Sequence, residues 1–290
     1  MRTIVSKVMA TLSVAAVLTL AACQPDQKTI SPDPNQGKTP PKDTTRPNPN
    51  NGGDVSVYKR VKIAWSASDY VEYVMDGSNK ILRYWSQYIY IQGTDKLHLR
   101  FYDFVYNEKQ EVKRLLLDNG AYVTYTYYGG QVSHTEEFAA NGKLLATRDY
   151  SYSADGKQLT GIQEYQFLGT VKSGMRYEFA YTNGNLTEIR QLQESSEKEG
   201  VYALGMVTRF AQYDRQKNVE NLSTIYPYLP DVVFRVNNPG LVTFYNADGT
   251  EITNARKQYT YTYNAQGYVL TRKESGAGGT SSADYTYTGL

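Results

Sequence analysis

The sequence predicts an all-β protein, an antiparallel β-meander forming a strongly curved sheet or a soluble, barrel-like domain. Three observations carry this expectation. The chain holds 28 Tyr against 8 Phe and 2 Trp, and every tyrosine lies beyond residue 55. Apolar and polar residues alternate at period two: in Gln258 to Tyr263, Tyr259, Tyr261 and Tyr263 oppose Thr260 and Thr262, a pattern suited to a pleated, half-buried surface. Turn pairs punctuate these runs at Asp76-Gly77, Gly129-Gly130, Asn141-Gly142, Asp155-Gly156, Asn183-Gly184 and Asp248-Gly249, with Gly93-Thr94-Asp95 and Asn264 to Gly267 as longer turns. Such pairs between alternating runs announce hairpins, and type I′ turns need positive φ at both central residues.

At the N-terminus, Arg2 and Lys7 precede a short apolar run from Val8 to Leu20 that Thr11, Ser13 and Thr19 interrupt. The run is too short and too polar for a membrane span and suits a signal-peptide core. It ends in Leu20-Ala21-Ala22-Cys23, which resembles the lipobox of bacterial lipoproteins. That resemblance implies cleavage after residue 22 and diacylation of Cys23, the only Cys in the chain. Anchoring through acyl chains is then expected, each buried CH₂ contributing about 0.8 kcal/mol. Lipidation would consume that thiol and leave the body without disulfides. Gln24 after the Cys suggests outer-membrane sorting by analogy with known lipoproteins, with the periplasmic face and the cell surface both open.

Residues 23–54 are expected to be the lipidated Cys and a disordered tether. Pro25, Pro32, Pro34, Pro40, Pro41, Pro47 and Pro49 stand among polar residues, with Ile30 the one bulky apolar side chain, too little to offset the entropy of ordering. The segment spans from roughly 30 Å as a coil to about 95 Å extended. Residues 55–290 are expected to form one Tyr-rich domain. Two stretches depart from the strand pattern: Gln191 to Gly200 is a weak helix candidate, and Gly276 to Ser282 reads as a flexible hairpin loop. The apolar stretch Ile225 to Phe234, with two prolines, cannot be an interior strand throughout; it is expected to plug a barrel end, with a partner-binding loop as the alternative.

Composition narrows the function. The net charge is +2, and without residues 1–22 Lys+Arg and Asp+Glu balance, so nucleic-acid binding lacks its main electrostatic driving force. His98 stands on a strand among apolar residues; His134 and Glu136 share a strand face without a third metal ligand nearby, short of what zinc requires. No nucleophile elbow, phosphate-binding loop or dinucleotide fingerprint occurs, and no motif singles out a carboxylate pair. No enzyme activity, cofactor or metal is expected.

The strands also repeat. Tyr102 to Asn107, Tyr177 to Thr182 and Tyr259 to Asn264 share a Tyr-x-aromatic-x-Tyr run, after which Val112, Leu186 and Val269 open the next strand. Tyr150 to Gly156 and Tyr125 to Gly130 are variants. The segment Tyr259 to Lys273 resembles the strand–turn–strand signature of a family of uncharacterised lipoproteins from Gram-negative gut anaerobes, and Asn237-Asn238-Pro239 is similar to a stretch common in those proteins. More loosely, the Tyr-rich runs are similar to Rhs-type YD repeats. The resemblance covers about residues 95–290 and implies a porin-like β fold without assigned catalytic residues. A pore is not implied: Thr147, Asp149 and Ser151 share one strand face, Arg148, Tyr150 and Tyr152 the other, and Glu136 and Glu137 split between faces, so neither face suits lipid.

Two functions follow as expectations. One is a non-enzymatic scaffold or protein-interaction module with another envelope protein as partner. The other is a glycan-binding lipoprotein of a nutrient-capture system, in which Trp65, Trp85, Tyr259, Tyr261 and Tyr263 would stack on a polysaccharide. The direction of the tyrosines discriminates: buried against one another they are structural, and lining an open concave face they are a binding platform.

Overall fold

The computed structural model describes residues 59–89, 97–220 and 226–289; Cys23, the tether, Gly93 to Asp95 and Ile225 lie outside them. Sixteen strands follow in chain order: β1 (Lys59–Ala64), β2 (Tyr70–Met75), β3 (Ile81–Ile89), β4 (Leu97–Tyr106), β5 (Val112–Leu117), β6 (Tyr122–Tyr128), β7 (Gln131–Phe138) and β8 (Leu144–Tyr152) make the first half. The second half is β9 (Leu159–Leu168), β10 (Val171–Thr182), β11 (Asn185–Glu194), β12 (Tyr202–Ala211), β13 (Leu241–Asn246), β14 (Lys257–Tyr263), β15 (Val269–Gly276) and β16 (Gly279–Thr288). Each pairs antiparallel with its sequence neighbour, and β1 pairs with β16, so the meander closes into a barrel without free edges, which removes the exposed backbone of an open sheet. The alternatives of open sheet and barrel are thereby settled in favour of the barrel.

Local structure differs from expectation in three places. Gln191 to Glu194 continues β11 rather than starting a helix, because its backbone is paired on both sides, with β10 and β12. Gly276 and Gly279 are paired residues flanking a tight turn at Ala277-Gly278, so the Gly-rich loop is mostly strand. Positive φ at both central residues occurs at Gly129-Gly130 and Asn183-Gly184, whereas at Asn141-Gly142, Asp155-Gly156 and Asp248-Gly249 only the glycine is left-handed. The latter turns close with Gly142 N–H to Ala139, Gly156 N–H to Ser153 and Gly249 N–H to Asn246, the type I turn with a following left-handed glycine that also serves hairpins.

The tyrosine repeat builds one end of the barrel. Six even-to-odd hairpins share a register shift at the same place: Met75 pairs with Ile81, Tyr106 with Val112, Tyr127 with Val132, Tyr152 with Leu159, Tyr181 with Leu186 and Tyr263 with Val269, each after a bulge. The aliphatic partner is fully buried in every case, at 0–1% exposure. A bulge breaks the backbone ladder and frees a carbonyl, and at five of the six an inward tyrosine from a following strand bonds to it. The hydroxyls of Tyr106, Tyr127, Tyr152 and Tyr287 donate to the carbonyls of Ile81, Val112, Val132 and Val269 at 2.7, 3.1, 2.9 and 2.7 Å. Tyr213, just beyond β12, does the same to Leu186.

Sixteen-stranded barrels are wide enough for an aqueous channel. Here the connection between β12 and β13 folds into the lumen from the tyrosine-ringed end, and its described residues fill much of it. Tyr226 packs on Tyr102 (5.8 Å between centroids), Tyr228 edge-on against Phe104 (5.2 Å) and Phe234 against Phe179 (5.5 Å). Leu229 and Phe234 are buried at 3% and 2%. The stretch read as a plug is a plug over residues 226–234.

Candidate functional site

Side chains on the inner wall fall into two levels. Toward the tyrosine ring they are aromatic and aliphatic and grip the plug; toward the opposite mouth they become polar.

Two latches hold the plug. At its return, the Asn185 side chain accepts from Asn237 N–H (2.9 Å) while its amide donates to Asn237 Oδ1 (3.0 Å). Asn238 N–H donates to Asp214 (3.1 Å), Tyr263 donates to the same carboxylate, and Tyr261 donates to Pro239 O (3.0 Å). The Asn-Asn-Pro stretch thus fastens the plug to β11 and β14. Deeper in, Glu220 meets Arg272 of β15 at 2.5 Å and Arg235 at 3.9 Å, and Tyr285 of β16 donates to it. Burial pushes the Glu220 carboxyl up, but the two guanidiniums and the Tyr285 hydroxyl outweigh that and hold it below its usual value.

A second charge cluster lies across the lumen. Arg148, with its side chain 6% exposed, donates through Nε to Glu164 (2.6 Å) and through Nη2 to Glu137 (3.0 Å). Gln166 donates to the other Glu164 oxygen at 2.6 Å, and the Arg148 guanidinium lies 5.4 Å from the Tyr226 ring centroid. These residues belong to one inward row set by register: Tyr125 faces Thr135, Thr135 faces Arg148, Arg148 faces Glu164, and Glu164 faces Met175. The Gln191 amide reaches the Met175 sulfur at 3.9 Å, and Thr208 of β12 faces Ile189, two residues from Gln191.

The structure places the anticipated stacking residues on different faces. Tyr259, Tyr261 and Tyr263 stack inside the lumen at 6.4 and 6.2 Å. Trp65 also packs against the core, and the Arg272 guanidinium sits 5.7 Å from its ring and 5.6 Å from that of Tyr259. Trp85 alone belongs to the outer face, where its indole N–H donates to Glu72 (3.0 Å). The five therefore share no open concave surface. His134 pairs with Asp149 at 2.7 Å on the outer face, and no group of three metal-ligating side chains occurs among the described residues. Arg148, Glu137, Glu164, Asp214 and Glu220 were not singled out in sequence; the available signal was a charged residue, Arg148, sharing an inward face with Tyr150 and Tyr152.

Mid-strand outward positions are charged. Arg60 pairs with Glu72 (3.0 Å), Arg83 with Asp103, Arg190 with Glu178 (3.8 Å) and Arg209 with Glu188 (2.9 Å). No helix among the described residues is long and apolar enough to cross a membrane.

No family model matches the chain, and no curated protein matches it either. Among solved structures, a porin-like protein from Bacteroides uniformis superposes with a TM-score of 0.52 at 15% identity, over 80% of this chain and 96% of its own. Another porin-like protein, from Bacteroides vulgatus, gives a TM-score of 0.48 at 13% identity, over 80% and 98%. The chain has the porin-like fold: a closed sixteen-stranded antiparallel barrel.

Proposed function

We propose that this chain is a non-enzymatic envelope lipoprotein, anchored to the outer membrane through acylated Cys23, whose plugged barrel serves as a rigid scaffold for contact with another envelope protein. The observation that carries this reading is the direction of the tyrosines. Those of β4, β10 and β14 turn into the lumen: Tyr106 bonds to a backbone carbonyl, Tyr261 and Tyr263 bond to the plug connection and stack with Tyr259, and Tyr177 and Tyr181 pack in the core, so they are spent on the fold. The charged outer positions support a barrel that stands in water, since a lipid-facing barrel needs an apolar band there. A body of this kind needs a separate anchor, which the N-terminal segment would supply.

Two experiments test the reading. Labelling of the full-length protein with a radioactive fatty acid should mark the wild type and not Cys23→Ser, and the variant should move from the membrane to the soluble fraction; unchanged membrane association of Cys23→Ser would refute the anchor. A photo-crosslinking amino acid placed at Tyr128 or Leu99, both exposed on the outer wall (84% and 46%), should give one discrete envelope-protein adduct in cells. Absence of any adduct from both sites, together with saturable polysaccharide binding that Trp85→Ala abolishes, would favour the glycan-capture reading.

A further inference from the structure

Near the mouth opposite the tyrosine ring, the outer wall turns apolar along one sector, from β5 to β10. Leu116 of β5 faces Tyr122 of β6, and Tyr122 faces Phe138 of β7, the two rings stacked at 5.1 Å and 22°. Phe138 faces Leu144 of β8 across a bulge. Ala146 faces Gln166 inside the wall, so Leu145 and Phe167 meet on the outside, one residue nearer the mouth. These outward side chains are half-buried. The β9–β10 hairpin ends in Leu168 and Val171, paired across Gly169-Thr170 and exposed to 67% and 60%. The β5–β6 and β7–β8 turns touch, since a Cβ at Gly120 would stand 3.1 Å from that of Ala140. The rim is thus one continuous, accessible surface. Its turns, at 118–121, 139–143 and 169–170, carry one acid, Asp118, and one base, Lys143. The turns of the same strands at the other mouth carry Glu108, Lys109, Glu111, Asp155 and Lys157.

We infer that this rim docks on a zwitterionic lipid surface, dipping to headgroup level while the rest of the barrel stays in water; the inference rests on the lipid-anchored reading above. Depth decides against a spanning role. The next outward row toward the tyrosine ring is Arg114, Thr124, Glu136 and Thr147, two residues and roughly 7 Å along each strand. Interfacial elements sink to about that depth, far short of the hydrocarbon thickness. Charge selects the lipid. With one acid and one base, the rim gains nothing from an anionic surface, whereas aromatic rings such as Tyr122 favour the headgroup level without one. Shape favours a fluid over a folded partner. Leu168 and Val171 project from a hairpin tip; a protein would need a pocket in register with them, while lipid parts around them. The tether permits the geometry. β1 starts at Lys59, at the tyrosine-ringed mouth, yet about 95 Å of extended chain exceeds the roughly 40 Å of the twelve-residue β10. The rim side chains are too few to hold the body alone, so they orient a body that the acyl chains retain.

The test couples the full-length chain through the thiol of Cys23, the only Cys in the sequence, to a maleimide-bearing lipid in phosphatidylcholine vesicles. A failure of acylation in cells therefore leaves this test standing, and fatty-acid labelling of Cys23 reports on the anchor separately. Two single variants place a tryptophan at opposite mouths, Leu168→Trp on the rim and Tyr128→Trp at the tyrosine-ringed end, where the native side chains are 67% and 84% exposed. Their emission is compared with wild type, whose Trp65 and Trp85 are common to every sample. A nitroxide on the upper acyl chain should remove most of the emission added by Leu168→Trp and spare that added by Tyr128→Trp. Val171→Asp in the Leu168→Trp chain should restore the lost emission, because a carboxylate resists leaving water. All three positions are exposed, and an unchanged circular dichroism spectrum verifies that each variant folds. Quenching equal at the two mouths or stronger at Tyr128→Trp would overturn the proposal. Quenching at neither would leave the rim to a protein partner and would overturn it as well, as would quenching at Leu168→Trp that Val171→Asp does not relieve.

Discussion

The Tyr106 hydroxyl donates to the Ile81 carbonyl at 2.7 Å, joining the last inward residue of one hairpin to the bulged carbonyl of the hairpin before it. Because the same bond recurs from Tyr127 to Val112, Tyr152 to Val132 and Tyr287 to Val269, the tyrosines act as fasteners between consecutive hairpins. Phenylalanine could fill the same space but could not satisfy the carbonyl, which accounts for tyrosine at these positions.

Tyr106→Phe should therefore cost about 1 kcal/mol of unfolding free energy, the net worth of one hydrogen bond. Tyr181 occupies the equivalent place in its hairpin, yet its hydroxyl is buried without a partner among the described residues. Tyr181→Phe removes a desolvated group and loses no bond, so it should be neutral or stabilising. Urea unfolding of the two variants beside wild type compares them directly; equal losses would show that the hydroxyls do not fasten the hairpins.

Arg148→Met leaves Glu137 and Glu164 facing each other without a counter-charge. Breaking a buried ion cluster in this way costs about 3–5 kcal/mol. The triple variant Arg148→Met, Glu137→Gln, Glu164→Gln should recover most of that loss, because it removes the charges together. A triple variant as unstable as the single one would assign the cost to packing against Tyr226 instead.

Acid should loosen the inner latch. The Glu220 carboxyl is depressed in the folded protein, so its contribution is present above the unfolded value of 4.5 and is lost as pH falls through the lower folded value. Glu220→Gln should flatten the fall in stability below about pH 4.5, read as melting temperature against pH. An unchanged acid limb would remove Glu220 from the latch.

Much of this architecture was legible from residue order. The Tyr-x-aromatic-x-Tyr runs followed by Val112, Leu186 and Val269 mark the bulged hairpins, and the prolines of the 225–234 stretch mark a segment excluded from the sheet. Closure was not legible, since nothing in a series of local hairpins states that β1 will meet β16. Nor were the partners of Arg148: the choice of Glu137 and Glu164 depends on cross-strand register, which each bulge shifts by a residue. In β4, Leu99 and Phe101 share a face opposed to Arg100 and Tyr102, but the polar-containing face points inward and Leu99 is 46% exposed. Hydrophobicity alone misassigns the inside of a barrel whose lumen is partly polar.

Alkali should unfold the barrel cooperatively. Burial pushes the inward phenols up, Tyr152 and Tyr228 to about 12, and holds Tyr125, Tyr226 and Tyr285 well above the ordinary phenol value. A raised folded value favours the protonated form, so this stabilisation is complete below the unfolded value near 10 and is lost as pH rises through the folded values. Because the fastening hydroxyls are donors, ionisation removes the bonds to Val112 and Val132 as well as the uncharged state. Tyrosinate absorbance and far-ultraviolet circular dichroism followed together should therefore show most phenols ionising in one step that coincides with loss of strand signal, near or above pH 12. Gradual ionisation centred near 10, with the strand signal intact, would mean that the tyrosines are not buried in a closed lumen.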